Sequence, residues 1–318
     1  MSPDGAALAA RLRERDLAAA PEALNLLESS GPEDRLQADA LLAALSPAAL
    51  GGEAPGHVVG VTGPPGAGKS TMLSALLAGW RARGLTVALL AVDPSSRRSG
   101  GSLLGDRARI EFDARDAGVL IRSSAAGERL GGLARSTAAS ADALAVAFDV
   151  VVIETVGVGQ AETDVAEAAD TVAVVVQPGA GDALQFLKSG IMEVPDVLVV
   201  TKADLGQLAV SARRDLSAAL RSLGARSTPV VAISSLPPTS GIEELLDALE
   251  LHRRSIDLAG RRTAARRARA LREFLAEHGE RGVRELGGRA EAERVLSTQD
   301  PGAEVPALIA ALEGSPRA

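Results

Sequence analysis

The chain has 318 residues, 46% of them hydrophobic but only 2% aromatic, with a formal net charge of −7 and no cysteine. The apolar content suffices for a sizeable core of Ala, Val, Leu and Ile, in one large domain or one domain with appendages. Disulfides and thiolate metal sites are excluded, and the acidic balance gives no bulk attraction to nucleic acid or anionic lipid.

The opening stretch "MSPDGAALAARLRERDL" lacks the charged-then-apolar order of a signal peptide. No apolar run approaches the roughly 18 to 20 residues that a membrane span needs. A cytoplasmic protein with neither a membrane nor a nucleic-acid partner is expected. Residues 1–50 form an N-terminal extension, rich in Ala and Leu at helical spacing and broken by "SSGPED", and "SPAALGGEAPG" reads as a linker. From residue 57 to about 250 short β-branched runs recur: "HVVGVT", "TVALLAV", "VLI", "DVVVIET", "TVAVVV", "DVLVVT" and "PVVAI". Helical patterns such as "KSTMLSALLAGWRAR" and "GIEELLDALELHRRSI" separate them. Alternation of this kind predicts an α/β fold over residues 51–256: a mostly parallel sheet covered by helices on both faces, with ligands at the carboxyl ends of the strands. Residues 257–318 return to a helical, Arg- and Ala-rich pattern.

"GPPGAGKS", residues 63–70, fits G-x-x-x-x-G-K-[ST] and lies between a predicted strand and a predicted helix, the context this phosphate-binding motif requires. Gly63, Gly66 and Gly68, with Pro64, Pro65 and Ala67 between them, let the backbone turn its N–H groups toward a polyphosphate at a helix N-terminus. Lys69 is placed for the β- and γ-phosphates, Ser70 for Mg²⁺, and Thr71 near the α-phosphate. A P-loop nucleoside triphosphatase is expected.

"TKAD", Thr201 to Asp204, ends the sixth strand run. Guanine-binding proteins place [N/T]-K-x-D there. Asp204 would accept from guanine N1–H and the 2-amino group, and Lys202 would lay its stem along the base. Thr201 stands where Asn is usual, keeping a hydroxyl and losing an amide. The next strand ends in Ser234, Ser235 and Leu236, where a backbone N–H would meet guanine O6. The pair of loops favours GTP over ATP.

"DVVVIETVGVGQ" ends a strand in Glu154, with Gly157 three residues later, the place of the D-x-x-G that holds Mg²⁺ and meets the γ-phosphate. Asp93 ends an earlier strand and Asp106 closes the loop after it, so the expected metal set is Ser70, Asp93, Asp106 and Glu154. Gln160 is the candidate for orienting the attacking water. No arginine is placed to act in cis, which predicts slow, partner-dependent hydrolysis.

"GPPGAGKST", "AVDPSSRRSGGSLLGDRARI", "LGGLARST", "ETVGVGQAETDVA", "QPGAGDALQFLKSGIMEV" and "TKAD" together resemble the methylmalonyl-CoA-mutase-associated GTPases of the MeaB/ArgK type. The likeness is strong over about residues 56–250 and loose in the flanking helices. It implies a Mg²⁺-dependent, GTP/GDP-binding chaperone of an adenosylcobalamin-dependent acyl-CoA mutase, coupling hydrolysis to cofactor loading and protection. It further implies a homodimer to which the C-terminal helices contribute. The stretch Gln177–Lys188 matches the family's additional switch, with Asp182, Gln185 and Lys188 on its partner-facing positions.

Eight arginines against one acid between Arg253 and Arg272 read as a solvated helical face with dimer contact, since no aromatics interleave to stack bases. His57, His252 and His278 are scattered without metal-ligand spacing, and Trp80 reads as core. Two other readings stand beside the chaperone: a P-loop kinase passing the γ-phosphoryl to a small molecule, and a metal-insertion GTPase. The lack of Cys and the scarcity of His weigh against the latter.

Overall fold

The computed structural model describes residues 2–93, 110–125, 135–155, 161–179, 195–225 and 227–315. The chain divides into two compact units, one of Gly56–Ile256 and one of Met1–Pro55 with Asp257–Ala318.

The first unit is built on seven parallel strands: β1 (His57–Thr62), β2 (Val87–Asp93), β3 (Val119–Ala125), β4 (Val150–Thr155), β5 (Thr171–Val176), β6 (Val197–Val200) and β7 (Val230–Ala232). Their order across the sheet is β3-β2-β4-β1-β5-β6-β7. Every residue of β1, β4, β5 and β6 is buried, which is why these strands read as unbroken apolar runs rather than alternating ones. Alternation within β1 assigns the faces. Val59 and Val61 join a core with Met72, Leu73, Leu76 and Trp80 of helix α5 (Lys69–Ala82). Gly60 faces the other way, and a Cβ there would stand 2.8 Å from Val165 Cγ2, so the small residue lets a helix lie close on that face. An α/β sheet covered on both sides follows, as the pattern predicts.

The chain winds outward from β1 to β2 and β3, returns to β4 and then crosses β1 to reach β5, β6 and β7. Loops therefore diverge at the carboxyl ends of β4, β1 and β5, where such sheets hold ligands. At the opposite end, two histidines distant in sequence meet. His57 Nε2 lies 2.8 Å from Thr171 Oγ1, which lies 2.8 Å from His252 Nδ1. His252 Nε2 is 3.1 Å from Asp196 Oδ1, and Asp196 Oδ2 accepts the Val172 N–H at 2.9 Å.

The second unit is helical: α1 (Gly5–Arg13), α2 (Ala20–Glu28), α3 (Pro32–Ala44), α4 (Pro47–Leu50), and, past the sheet, a kinked helix Leu258–Glu285, then Arg289–Ser297 and Val305–Glu313. The kink falls at Gly279, whose φ of 66° lies in the left-handed region. Here the expectation of a solvated arginine face needs correction. Arg266 and Arg269 are buried. Arg266 grips both carboxylate oxygens of Glu53, at 3.0 and 2.8 Å, and donates to the Pro301 carbonyl at 2.7 Å. Arg262 donates to the Ala54 carbonyl at 2.7 Å, and Arg267 to those of Ser297 and Gln299. A guanidinium can satisfy several fixed acceptors at once, so these arginines stitch the linker to the C-terminal helices. Among the described residues no helix is long and apolar enough to cross a membrane.

Candidate functional site

The site grows from the end of β1. Six buried residues carry the chain straight to Gly63, whose φ of 146° and close pass over β5 leave no room for a side chain: a Cβ would stand 2.1 Å from the Val175 carbonyl oxygen. The loop closes at Gly68, which caps α5 with a φ of 90°, a conformation glycine adopts without steric cost. Between these two the backbone folds over the helix N-terminus, the positive end of its dipole.

Lys69, buried in the first turn of α5, turns its ammonium back over the loop. Nζ donates to the Gly63 carbonyl at 2.7 Å and to the Pro64 carbonyl at 3.2 Å. The cation is thereby held over a ring of backbone, where an anion would meet it. Ser70 is half-buried beside it and Thr71 is exposed. One strand away, β4 brings Glu154 into register with Val61 of β1 and Ala91 of β2, so its buried carboxylate lies at the sheet's carboxyl edge next to the phosphate loop. Ser70 and Glu154 offer a hydroxyl and a carboxylate, the oxygen donors that a hard divalent cation such as Mg²⁺ takes.

The loop after β6 is laced to the phosphate loop. Thr201, buried, acts as a donor: its N–H goes to the Val176 carbonyl at 2.9 Å, and its hydroxyl lies 2.6 Å from the Ala67 carbonyl and 3.1 Å from that of Val176. Lys202 adopts φ 54° and reaches back, with Nζ 3.3 Å from the Gly66 carbonyl and 2.5 Å from Gln177 Oε1. The Ala203 N–H donates to Ile233 at the end of β7, fixing the two loops together. Ser234, buried, directs its hydroxyl toward Asp204 Oδ1 at 3.2 Å, and the Leu236 carbonyl lies 3.3 Å from the serine Oγ. The Asp204 carboxylate is exposed and oriented by that serine. A fixed carboxylate beside a lysine stem, joined to a Gly-rich anion cradle, can take a base that offers two donors on one edge together with its phosphates.

A family model described as "Methylmalonyl Co-A mutase-associated GTPase MeaB" matches residues 20–285. The chain belongs to that family. A probable GTPase of Mycobacterium tuberculosis is 44% identical over 267 residues, which cover 82% of this chain and 78% of the relative. The mouse protein named methylmalonic aciduria type A homolog, mitochondrial, is 40% identical over 65% of this chain and 52% of its own length. The crystal structure titled LAO/AO transport system kinase superposes with a TM-score of 0.64 at 27% identity, covering 97% of this chain and 96% of the other. This member of the mutase-associated GTPases is thus a P-loop GTPase that binds guanine nucleotide.

Of the residues singled out by sequence in this GTPase, the structure brings Gly63 to Thr71, Glu154, Thr201, Lys202, Asp204 and Ser234 to Leu236 to the carboxyl edge of one sheet. Asp93 is the last residue of β2, paired in register with Ala125, and its side chain lies outside the described residues. Asp106, Gly157, Gln160, Asp182, Gln185 and Lys188 also lie outside them. Two supports were missed by sequence: the Ser234 hydroxyl on Asp204, where only a backbone contact was expected, and Gln177 on Lys202. Finding either requires the strand order, because the partners come from different loops.

Proposed function

We propose that the chain is a Mg²⁺-dependent GTPase that acts as a switch for an adenosylcobalamin-dependent acyl-CoA mutase, coupling GTP binding and hydrolysis to cofactor loading and protection. The observation that carries the nucleotide reading is the single laced unit formed by Lys69 on Gly63, Thr201 on Ala67 and Ser234 on Asp204. It supports phosphates on the Gly63–Thr71 loop and guanine on Asp204, with Lys202 along the base. The family's name and the mouse relative's name support the mutase as partner.

Hydrolysis proceeds by in-line attack of water on the γ-phosphate. Lys69 and the loop N–H groups offset the charge on the β- and γ-oxygens. Ser70 and Glu154, with Asp93 and Asp106 as further ligands, would hold Mg²⁺, which would supply charge neutralisation for the phosphates. Gly157 meets the γ-phosphate, and Gln160 orients the water. Asp182, Gln185 and Lys188 face the mutase in a segment that responds to nucleotide. Two copies associate through the helices of residues 257–318.

The test is steady-state GTP hydrolysis with Mg²⁺, alone and with the acyl-CoA mutase of the same organism, with ATP as control. Slow, GTP-selective turnover that the mutase accelerates supports the reading. A rate indifferent to the mutase overturns the partner assignment while leaving the GTPase.

A further inference from the structure

The loop joining guanine to the phosphate cradle depends on a lysine whose position has to be explained. Lys202 is exposed, and an exposed lysine stem in water samples many rotamers whose loss costs entropy. A stem that forms a wall of the base pocket only after the base arrives subtracts that cost from the binding energy. One fixed beforehand does not. Two acceptors converge on its ammonium here. Gly66 O accepts from it at 3.3 Å and Gln177 Oε1 at 2.5 Å, so the glutamine makes the shorter of the two bonds.

The position of Gln177 is itself determined by the fold. Val176 pairs with Val200 in the β5–β6 register, and the Val176 carbonyl receives the Thr201 N–H. Gln177 and Lys202 therefore leave the sheet side by side. The backbone of Lys202 adopts φ 54°, a conformation rare for a residue with a side chain, and its neighbours pin it there: Thr201 by hydroxyl and N–H, and Ala203 by its N–H on Ile233. The amide carbonyl of Gln177 holds the cation without cancelling its charge. A carboxylate in the same place would set a negative charge beside the phosphates.

We infer that Gln177 is a positioning residue for guanine recognition: its side-chain carbonyl holds the Lys202 ammonium across the phosphate loop and fixes the lysine stem as one wall of the base pocket. The inference rests on the nucleotide reading of this site and names a residue that the phosphate and base motifs do not contain. It separates the base from the phosphates, because Gln177 acts on the wall that only the base touches.

The experiment measures GDP and inorganic tripolyphosphate by competition against a fluorescent GDP analogue, in the full-length protein. Gln177→Met keeps the length and removes the acceptor. GDP binding should weaken about five- to tenfold, the upper part of the range for one hydrogen bond of ordinary net strength, as suits a contact this exposed, with tripolyphosphate within twofold of the parent. Gln177→Glu restores an acceptor, so its ratio of GDP to tripolyphosphate affinity should return to the parent's even though the added charge weakens both. GDP affinity unchanged in Gln177→Met, or GDP and tripolyphosphate falling together in it, overturns the inference. Asp204→Ala in the same assay separates the layers. If it leaves the preference for GDP over ADP intact, the base-pocket reading fails and the inference with it. If that preference collapses while Gln177→Met matches the parent, the Gln177 inference alone fails.

Discussion

Thr201 donates its hydroxyl to the Ala67 carbonyl at 2.6 Å, joining the loop after β6 to the phosphate loop across 134 residues of sequence. Ala67 is fully buried, so this carbonyl has no access to water in exchange for the bond. The threonine that stands in the usual asparagine position thus keeps the tether with a hydroxyl. Thr201→Val preserves shape and backbone preference while leaving the carbonyl without its donor, at a cost of about 1–3 kcal/mol. Thermal unfolding should shift down, and GDP affinity should fall about tenfold, because the two loops no longer hold a common geometry. Unchanged affinity in calorimetric titration would show that the tether serves the fold alone.

Lys69 and Glu154 should separate in their effects on turnover. Lys69→Ala strips the donor from the Gly63 and Pro64 carbonyls and removes the cation beneath the phosphates. GTP hydrolysis should fall by at least about a hundredfold, with weaker nucleotide binding. Glu154→Gln keeps the size of a buried side chain and removes its charge. Its turnover should recover in part at high Mg²⁺, whereas that of Lys69→Ala should not. A Mg²⁺ titration of the hydrolysis rate for both variants decides this. Identical Mg²⁺ dependence in Glu154→Gln and the parent would remove Glu154 from the metal's ligands.

What could be read from the sequence was local. The apolar runs of β1, β4 and β5, and the glycine spacing after β1, are each set within ten residues, and the phosphate loop falls where its motif puts it. Contacts between loops were not legible, because they depend on β5 lying beside both β1 and β6. Gln177 on Lys202 and the meeting of His57 with His252 through Thr171 are both of this kind. The arginines of the C-terminal helices misled for a related reason. Composition counts charges, but whether Arg266 faces water or Glu53 is decided by a partner more than 200 positions away.

Thr171 offers a test at the other end of the sheet. One hydroxyl serves two imidazoles, lying 2.8 Å from His57 Nε2 and 2.8 Å from His252 Nδ1, and a single O–H can donate to only one of them. Thr171→Val removes both bonds while keeping the β-branched shape that the strand requires. Destabilisation of about 2–3 kcal/mol in urea unfolding is expected. GTP turnover per folded molecule should stay at the parent's, since the nucleotide site lies at the opposite ends of the strands. A loss of turnover without a loss of stability would contradict the structural role.

Asp116 should give the sheet unit an acid-sensitive contact. The Arg81 guanidinium, donating from Nε at 2.7 Å and Nη2 at 2.8 Å, holds the Asp116 carboxyl below its usual range, helped by the Gly118 N–H at 2.9 Å. A carboxylate whose folded pKa lies below its unfolded value of about 3.9 adds stability above that pH and loses it as pH falls through the folded pKa. Asp116→Asn should therefore be less stable than the parent at pH 7, and the two should converge below about pH 4. Gly118→Ala isolates the geometry. Its Cβ would stand 2.5 Å from Arg81 Cζ and drive the guanidinium off the carboxylate with no change in any charge. The same convergence on acidification is expected for it, measured by thermal unfolding at pH 7 and pH 3. Parallel curves for parent and variants across that range would mean that the ion pair adds nothing dependent on the proton, and that Asp116 serves only as a hydrogen-bonded turn.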